Sequence, residues 1–331
     1  MSRPTYEPKP LFLERMKNLL GKDFDSYMEI LKVEPVRSFR CNTLKISPED
    51  LKKRLEDKGW KIRLPFKNYP EVMIVDSILQ PGELGRSIEH ILGYYYIQEI
   101  ASMLPVLILN LKEGERVLDL CASPGSKTTQ IAARMNNKGL LVANEVKFGR
   151  IKILAANTER CGVMNIVMTR KDGIALCKRF KNENFLFDKI LLDAPCSGEG
   201  TIRSTQKTLE MWNIKTIENL SKLQKSLIAS AIEILKPNGE LIYSTCTHAP
   251  EEDEEVVDFA LKNFDVKVEK TVLPLETREG ITKWEDKEYS PQVKLAHRVY
   301  PQVANTEGFF LVKLKKLSDK VKQTKQEVSL Q

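Results

Sequence analysis

From about residue 112 onward, strand-like apolar runs alternate with helix-like stretches. Residues 116–122 form a first apolar run, which Pro124 and Gly125 break before a helical segment at 126–135. A second strand is expected at 140–145, then a helix at 148–160 stopped by Cys161-Gly162, since glycine readily ends a helix. Residues 165–169 give a third strand leading to Asp172-Gly173, and 187–192 give a fourth. A long helix at 216–235 ends in Lys236-Pro237-Asn238-Gly239, followed by a fifth strand at 240–244. The acidic run from Glu251 to Glu255 is expected to open another helix, where negative charge suits the dipole, and 308–314 make a last strand. Strands alternating with helices predict an α/β fold with a doubly wound, mostly parallel sheet.

The first ninety residues have a different pattern. Residues 38–46 and 72–75 are strand-like, and Ser47-Pro48-Glu49-Asp50 carries an N-cap and a proline at the first helical position. This predicts a small N-terminal α+β module at 1–92. A helix entered at 93–98 and reaching Asn110 would then begin a larger domain at 93–316, with a basic flexible tail at 317–331.

Composition narrows the class. The chain has 331 residues, 42% hydrophobic and 29% charged, as in a globular protein with a full core. No apolar run is long enough to span a bilayer, and the first residues lack a secretory pattern, so a cytoplasmic location is expected. The six cysteines contain no C-x-x-C pair and the three histidines lie far apart, which predicts no metal site and no disulfide. The net charge of +7 suits a nucleic-acid partner without demonstrating one. Six lysines after residue 312 are read as a solvated terminus in preference to a phosphate-contacting arm.

The segment DLCASPGSKT (119–128) reads as a strand, a small-residue turn and a helix start, where a backbone approaches an anionic ligand closely. It is not a P-loop, because Cys121 stands where the first glycine belongs and Ser126 precedes Lys127. It is not a dinucleotide fingerprint, because only Gly125 is present. A cofactor with a carboxylate and an adenosine fits better. Acids at successive strand ends, Glu145, Asp172 and Asp193, could take the ribose hydroxyls and the adenine amine, which favours S-adenosylmethionine over three surface caps.

Two cysteines follow successive strands, Cys196 in LLDAPCSGEG and Cys246 in YSTCT. In one parallel sheet both thiols open on the ligand-binding edge. Either alone reads as an inert buried thiol; together beside a methyl donor they suggest covalent catalysis. Cytosine C5 is a poor nucleophile until a thiolate adds to C6 and makes an enamine, and Asp193 could bond the base edge or the cofactor.

The blocks DLCASPGSKT, LLDAPCSGEG, YSTCT and TEGFFLVKL closely resemble the Sun/Nop (RsmB/Nop-type) family of RNA cytosine-5 methyltransferases, in order and spacing over roughly 93–316. The stretch Arg40-Cys41-Asn42-Thr43-Leu44-Lys45 resembles an element of that family's N-terminal module. Ser126 and Glu145 replace the more usual glycine and aspartate while keeping size or charge. The resemblance implies a Rossmann-like methyltransferase domain with Cys246 as nucleophile and Cys196 assisting release. It also implies that Cys121, Ala122, Ser123, Pro124, Gly125, Ser126, Lys127, Glu145, Arg150, Asp172 and Asp193 hold the cofactor. Arg37, Arg40, Asn42 and Lys45 are candidate RNA contacts, whereas Lys52–Arg54 could equally be the wet face of a helix. The expected substrate is RNA, with tRNA (an archaeal-like member) favoured over rRNA, and a monomer is the default. The rivals are a base N-methyltransferase, which needs no thiol, and a catalytically idle RNA-binding subunit. A nicotinamide dehydrogenase is the most distant.

Overall fold

The computed structural model describes residues 6–322. An N-terminal antiparallel sheet runs in the order β2–β3–β1–β4, from β1 (Arg37–Cys41), β2 (Ile62–Arg63), β3 (Val72–Val75) and β4 (Tyr95–Ile97). The second sheet has nine strands. Its parallel part comprises β5 (Arg116–Asp119), β6 (Leu140–Asn144), β7 (Ile166–Thr169), β8 (Phe187–Asp193) and β9 (Leu235–Thr245), in the order β9–β8–β5–β6–β7. The chain then adds β10 (Phe264–Glu269), β11 (Arg278–Glu279), a hairpin of β12 (Lys283–Trp284) and β13 (Lys287–Glu288), β14 (His297–Val299) and β15 (Phe309–Val321). β15 lies antiparallel to β9, and β10 and β14 pair with β15 in turn.

The apolar runs are explained by burial on both faces of the sheet. Val117 and Leu191 point to one side, against the helices Ile100–Leu107 and Ser126–Arg134. Their neighbours Leu118, Ile190 and Leu192 point to the other, against Gly173–Asn182, Ile214–Glu233 and Glu254–Asn263. The helix Ile214–Glu233 presents Ile217, Ser221, Gln224, Ile228 and Ala231 as one buried stripe. The helix stop at Gly162 is formed as expected, with φ of 74° and its N–H on the last-turn carbonyls. Ser47 caps Pro48–Glu56 by accepting from the Asp50 N–H at 3.1 Å. No helix of the described residues is long and apolar enough to cross a membrane.

Several expectations are corrected. The helix expected from 93 starts only at Ile100, because Tyr95–Ile97 is taken as a fourth strand by β1, with Cys41 opposite Tyr95 and Phe39 opposite Ile97. The N-terminal sheet thus extends past residue 92. Residues 6–30 do not belong to that sheet: helices Pro10–Leu20 and Phe24–Ile30 pack Phe12, Met16 and Tyr27 on Ile202, Trp212 and Ile217 of the larger unit. The acidic run opens a helix as expected, with Asp253 at the N-cap and Glu254 and Glu255 in the first turn, but Glu252, Asp253 and Glu254 are buried. The tail is strand as far as Val321. Lys313 and Lys316 are buried there, with the Lys316 ammonium donating to Ile232 and Leu235 carbonyls at 2.9 and 2.7 Å. Residues 323–331 of the expected tail lie outside the described residues.

Of the four candidate RNA contacts, Arg40 and Asn42 are buried, and Lys45, though exposed, is engaged by backbone carbonyls. Arg40, 2% exposed, donates to Gln98 Oε1 (3.0 Å), Ser126 O (3.2 Å) and Thr129 Oγ1 (2.8 Å), joining β1 to the helix Ser126–Arg134. Burial without a carboxylate partner pulls its guanidinium down to about 10. Asn42 donates to the carbonyls of Gly93 and Cys161 at 2.8 Å each. Lys45 Nζ donates to Leu92 O (2.9 Å) and Arg160 O (2.7 Å), closing the carbonyl end of Phe148–Cys161. In the following helix Lys52 pairs with Glu56 and Arg54 with Glu89. Replacing Arg40 by alanine removes three hydrogen bonds and leaves the buried Gln98 and Thr129 oxygens without this donor, so urea unfolding should show a loss of about 2–3 kcal/mol. Lysine at this position should recover little of it, having no planar fork.

Candidate active site

A cleft of about 1070 Å³ opens between the N-terminal sheet and the C-terminal ends of the parallel strands. Its position follows the rule for open α/β sheets, where the carboxyl ends of strands diverge on either side of the first one. Here that strand is β5, between β6 and β8.

The turn after β5 forms one wall. Gly125 adopts φ of 105°, and a Cβ there would meet Leu154 Cδ1 at 3.1 Å, so the turn needs glycine. The helix starting at Ser126 then presents its N-terminus to the cleft. Ser123 is tied to Arg150 from both ends, Oγ donating to the Arg150 carbonyl (2.7 Å) and Arg150 Nη2 to the Ser123 carbonyl (2.5 Å). Cys121, Ala122, Ser123, Pro124, Ser126 and Lys127 all line the space, and Gly125 shapes the turn behind them. Burial pushes the Cys121 thiol up, making it an inert wall.

The strand-end acids converge as expected. Glu145 is 4% exposed; Oε1 accepts from the Lys147 N–H (2.8 Å) and Oε2 faces Arg150 Nη1 at 3.5 Å. Asp172 lines the cleft and also caps Gly173–Asn182 by accepting from Ala175 N at 2.9 Å. Asp193 closes the far side: Oδ2 pairs with Lys127 Nζ at 2.7 Å and Oδ1 accepts from Ser244 Oγ at 2.7 Å. A second donor from the same ammonium reaches Ser102 Oγ at 2.9 Å.

Asp119, at the end of β5, was not among the expected site residues, although it opens the same block. Its Oδ2 accepts from Thr128 Oγ1 at 2.7 Å, while Oδ1 is buried without a protein partner. Burial, more than the nearby Asp193 charge, pushes it up to about 7. Glu99 was missed too. It caps Ile100–Leu107 through Ala101 N (2.6 Å), receives the Glu307 N–H at 3.1 Å and rises to about 7 by burial.

The two thiols meet. β8 and β9 are parallel neighbours with Asp193 opposite Ser244, so the chains leave the sheet side by side. Cys196 Sγ lies 3.1 Å from Cys246 Sγ and accepts from the Cys246 N–H at 3.3 Å. Both line the cleft. The hydrogen bond with Cys246, reinforced by burial, holds the Cys196 thiol well above its ordinary range. Gly200 lets the loops close: its Cβ would sit 2.2 Å from Gly308 O, where its N–H reaches Cys246 O (2.9 Å) and its carbonyl accepts from Gly308 N (2.8 Å). Of the four candidate RNA contacts, Arg37 alone lines the cleft, with Nη1 on the Leu79 carbonyl at 3.0 Å.

Two outcomes test these roles. Glu145→Ala should weaken S-adenosylmethionine binding about 10–100-fold by calorimetry, the loss of charge-assisted bonds to two hydroxyls. For Asp119 the sign is fixed by its raised value. The unfolded carboxyl ionises from about pH 4, whereas the folded one does so near 7. Its contribution is complete at low pH and is lost as pH rises across that window. Urea unfolding of the ligand-free protein should therefore show Asp119→Asn gaining on the wild type from pH 4.5 to 7 and holding level above it.

Comparison with known proteins agrees with this geometry. The family described as 16S rRNA methyltransferase RsmB/F matches residues 106–315, and the N-terminal domain of 16S rRNA methyltransferase RsmF matches residues 9–100. The tRNA (cytosine(49)-C(5))-methyltransferase of Pyrococcus abyssi is 43% identical over 284 residues, 86% of this chain and 89% of that protein. Ribosomal RNA small subunit methyltransferase F of Vibrio campbellii is 40% identical over 93% of this chain, which spans only 63% of that longer protein. Among solved structures, a methyltransferase homolog protein from Pyrococcus horikoshii superposes with a TM-score of 0.82 at 36% identity, covering 93% of this chain and 95% of the other. NSun6 from the same organism, solved with SFG, gives 0.78 at 26% identity over 94% and 99% of the two chains. With both parts of the chain matched, the protein belongs to the RsmB/F family of methyltransferases.

Proposed function

We propose that the protein methylates C5 of cytosine in RNA, using S-adenosylmethionine and a covalent adduct between Cys246 and C6 that Cys196 helps to resolve. The observation that carries this reading is the 3.1 Å approach of two thiols at the mouth of the cleft lined by the cofactor loop and three strand-end acids.

The residues fit the cofactor. A buried Glu145 can accept from ribose hydroxyls, Asp119 keeps a buried oxygen without a protein partner, and the helix N-terminus at Ser126 suits a carboxylate. When bound, the cofactor supplies an electrophilic methyl group. Cys246 adds as thiolate to C6, and the ring electrons move to C5, which takes the methyl group. The proton at C5 must then leave, and its electron pair expels the Cys246 thiolate. Asp193 and Lys127 lie where they can hold the polar edge of the base.

The division of labour follows the family resemblance, and the 3.1 Å approach sets one thiol beside an adduct formed on the other. Cys196 is held protonated mainly by its bond to Cys246. Once Cys246 is a thioether that partner is gone, and Cys196 becomes a better base beside the adduct. Arg37, exposed and lining the cleft, supports a contact with a backbone phosphate. Transfer RNA is favoured as the substrate class. The relative that this chain covers along most of its length is named for tRNA, while the rRNA enzyme is much longer.

With RNA and methyl donor, Cys196→Ala should accumulate a protein–RNA adduct on a denaturing gel. Cys246→Ala should form none and lose methylation. Retained methylation in Cys246→Ala would favour attack by an exocyclic nitrogen. Bisulfite sequencing of RNA treated with the enzyme should reveal the cytosine and assign the substrate to tRNA or rRNA.

A further inference from the structure

The buried acids behind the thiols are unequal. Glu251 pairs with Arg15 at 2.8 Å, and Glu254 is engaged by Arg298. Glu252, fully buried, forms no ion pair among the described residues. One of its carboxylate oxygens, Oε1, is buried without a partner, and the other serves the loop around Cys196. Oε2 accepts from the Ser197 N–H at 3.0 Å and from Gln224 Nε2 at 2.8 Å, and the same amide nitrogen donates to Pro195 O at 2.8 Å. The residues on both sides of Cys196 are thus tied to one anchor. That anchor is fixed to β9 by the Tyr243 hydroxyl, which donates to the Glu252 carbonyl.

A second connection joins the loops to each other. Ser197 Oγ and Thr247 Oγ1 share a hydrogen bond of 2.7 Å, and Thr247 Oγ1 donates to Glu199 Oε2 at 3.2 Å, which also receives the His248 N–H at 3.2 Å. Cys246 is therefore held through Glu199 and the strand register, and Cys196 through Glu252 and Gln224. A loop of small residues, Ala194-Pro195-Cys196-Ser197-Gly198, has little packing of its own to fix a side chain to within an ångström.

We propose that Glu252, acting with Gln224, is a positioning residue for the release thiol: it sets the distance of Cys196 from Cys246 and thereby governs the resolution of the adduct more than its formation. This rests on the covalent reading above. Loss of the carboxylate frees the Ser197 N–H and the Gln224 amide, and Cys196 drifts from the thiol it serves. Attack on C6 uses Cys246, which Glu199 and the register of β9 still hold when Glu252 is lost, so release suffers more.

The test compares Glu252→Ala, Glu252→Gln and Gln224→Ala in the full chain, following single-turnover methylation, the adduct on denaturing gels and the thermal midpoint. Glu252→Ala should retain adduct and lose steady-state turnover by about tenfold or more, with a smaller loss of first-turnover methylation. Glu252→Gln keeps an acceptor oxygen and should restore release to within a few-fold. If Glu252→Ala fails to fold, Gln224→Ala, which cuts only the bridge to Pro195, should show the same bias to a milder degree. A folded Glu252→Ala releasing RNA as fast as the wild type would overturn the proposal, as would equal loss of both steps or no rescue by glutamine. Absence of adduct in Cys196→Ala as well would indict the covalent reading itself.

Discussion

The site depends on the parallel pairing of β8 with β9 in the register that sets Asp193 opposite Ser244. Side chains alternate along a strand, so slipping either strand by one residue would turn its buried residues to the opposite face. The register is held by Ile190, Leu191 and Leu192 on one strand and Leu241, Ile242 and Tyr243 on the other, all without solvent exposure. Beyond the last pair, the Ala194 N–H still bonds the Ser244 carbonyl, so the strands separate only as the cysteines begin. The hydrophobic core thus determines where the thiols emerge. Ser244, bonded to Asp193, reaches from one strand end to the acid of the other.

The N-terminal sheet supplies the opposite wall, and it is fastened by polar groups as well as by the apolar packing of Val72 and Ile74 on Ile100 and Met103. Arg40, Asn42 and Lys45 each reach carbonyls or side chains of the larger unit, two of them at the end of the helix Phe148–Cys161. Such bonds are directional, and a buried donor that loses its acceptor is costly. They hold Arg37 and Ile97 at the cleft rim. Basic character on β1 therefore gives architecture at one residue and an exposed charge three residues earlier.

Much of this was legible in the chain. The alternation beyond residue 112 predicted the five parallel strands, because four of the runs are buried on both faces and show it in composition, while the edge strand β7 is apolar though exposed. The acids at 145, 172 and 193 and the thiols at 196 and 246 were placed by strand ends alone, since parallel strands deliver their carboxyl ends to one edge. Cys246 and Cys196 were distinguished by family resemblance, not by position. What stayed hidden depends on partners remote in sequence. Tyr95–Ile97 is three residues long and becomes strand only because β1 offers an edge. The buried run Glu252–Glu254 looks like a solvated helix start until Arg298, Gln224 and the loop amides are brought to it. Arg40 looked like a phosphate contact because nothing local reveals the acceptors on Ser126 and Thr129.

Burying so many acids beneath a cleft meant for a polyanion requires an account. Desolvation pushes Asp119, Glu99 and Glu252 each up to about 7, so near neutrality they are substantially protonated and add less negative field than their number suggests. Glu254 is neutralised by Arg298, and Glu251 by Arg15. The acids then serve as hydrogen-bond acceptors for loop backbone, a role that lysine or arginine cannot fill. Carboxylates suit the purpose because the groups needing partners at the strand ends are mostly N–H donors, at Ser197, His248, Lys147 and Ala175. The lower side of the cleft is thereby organised around acceptors. The donors left facing the open space, on the helix at Ser126 and on Arg37, are those an anionic substrate or cofactor can use.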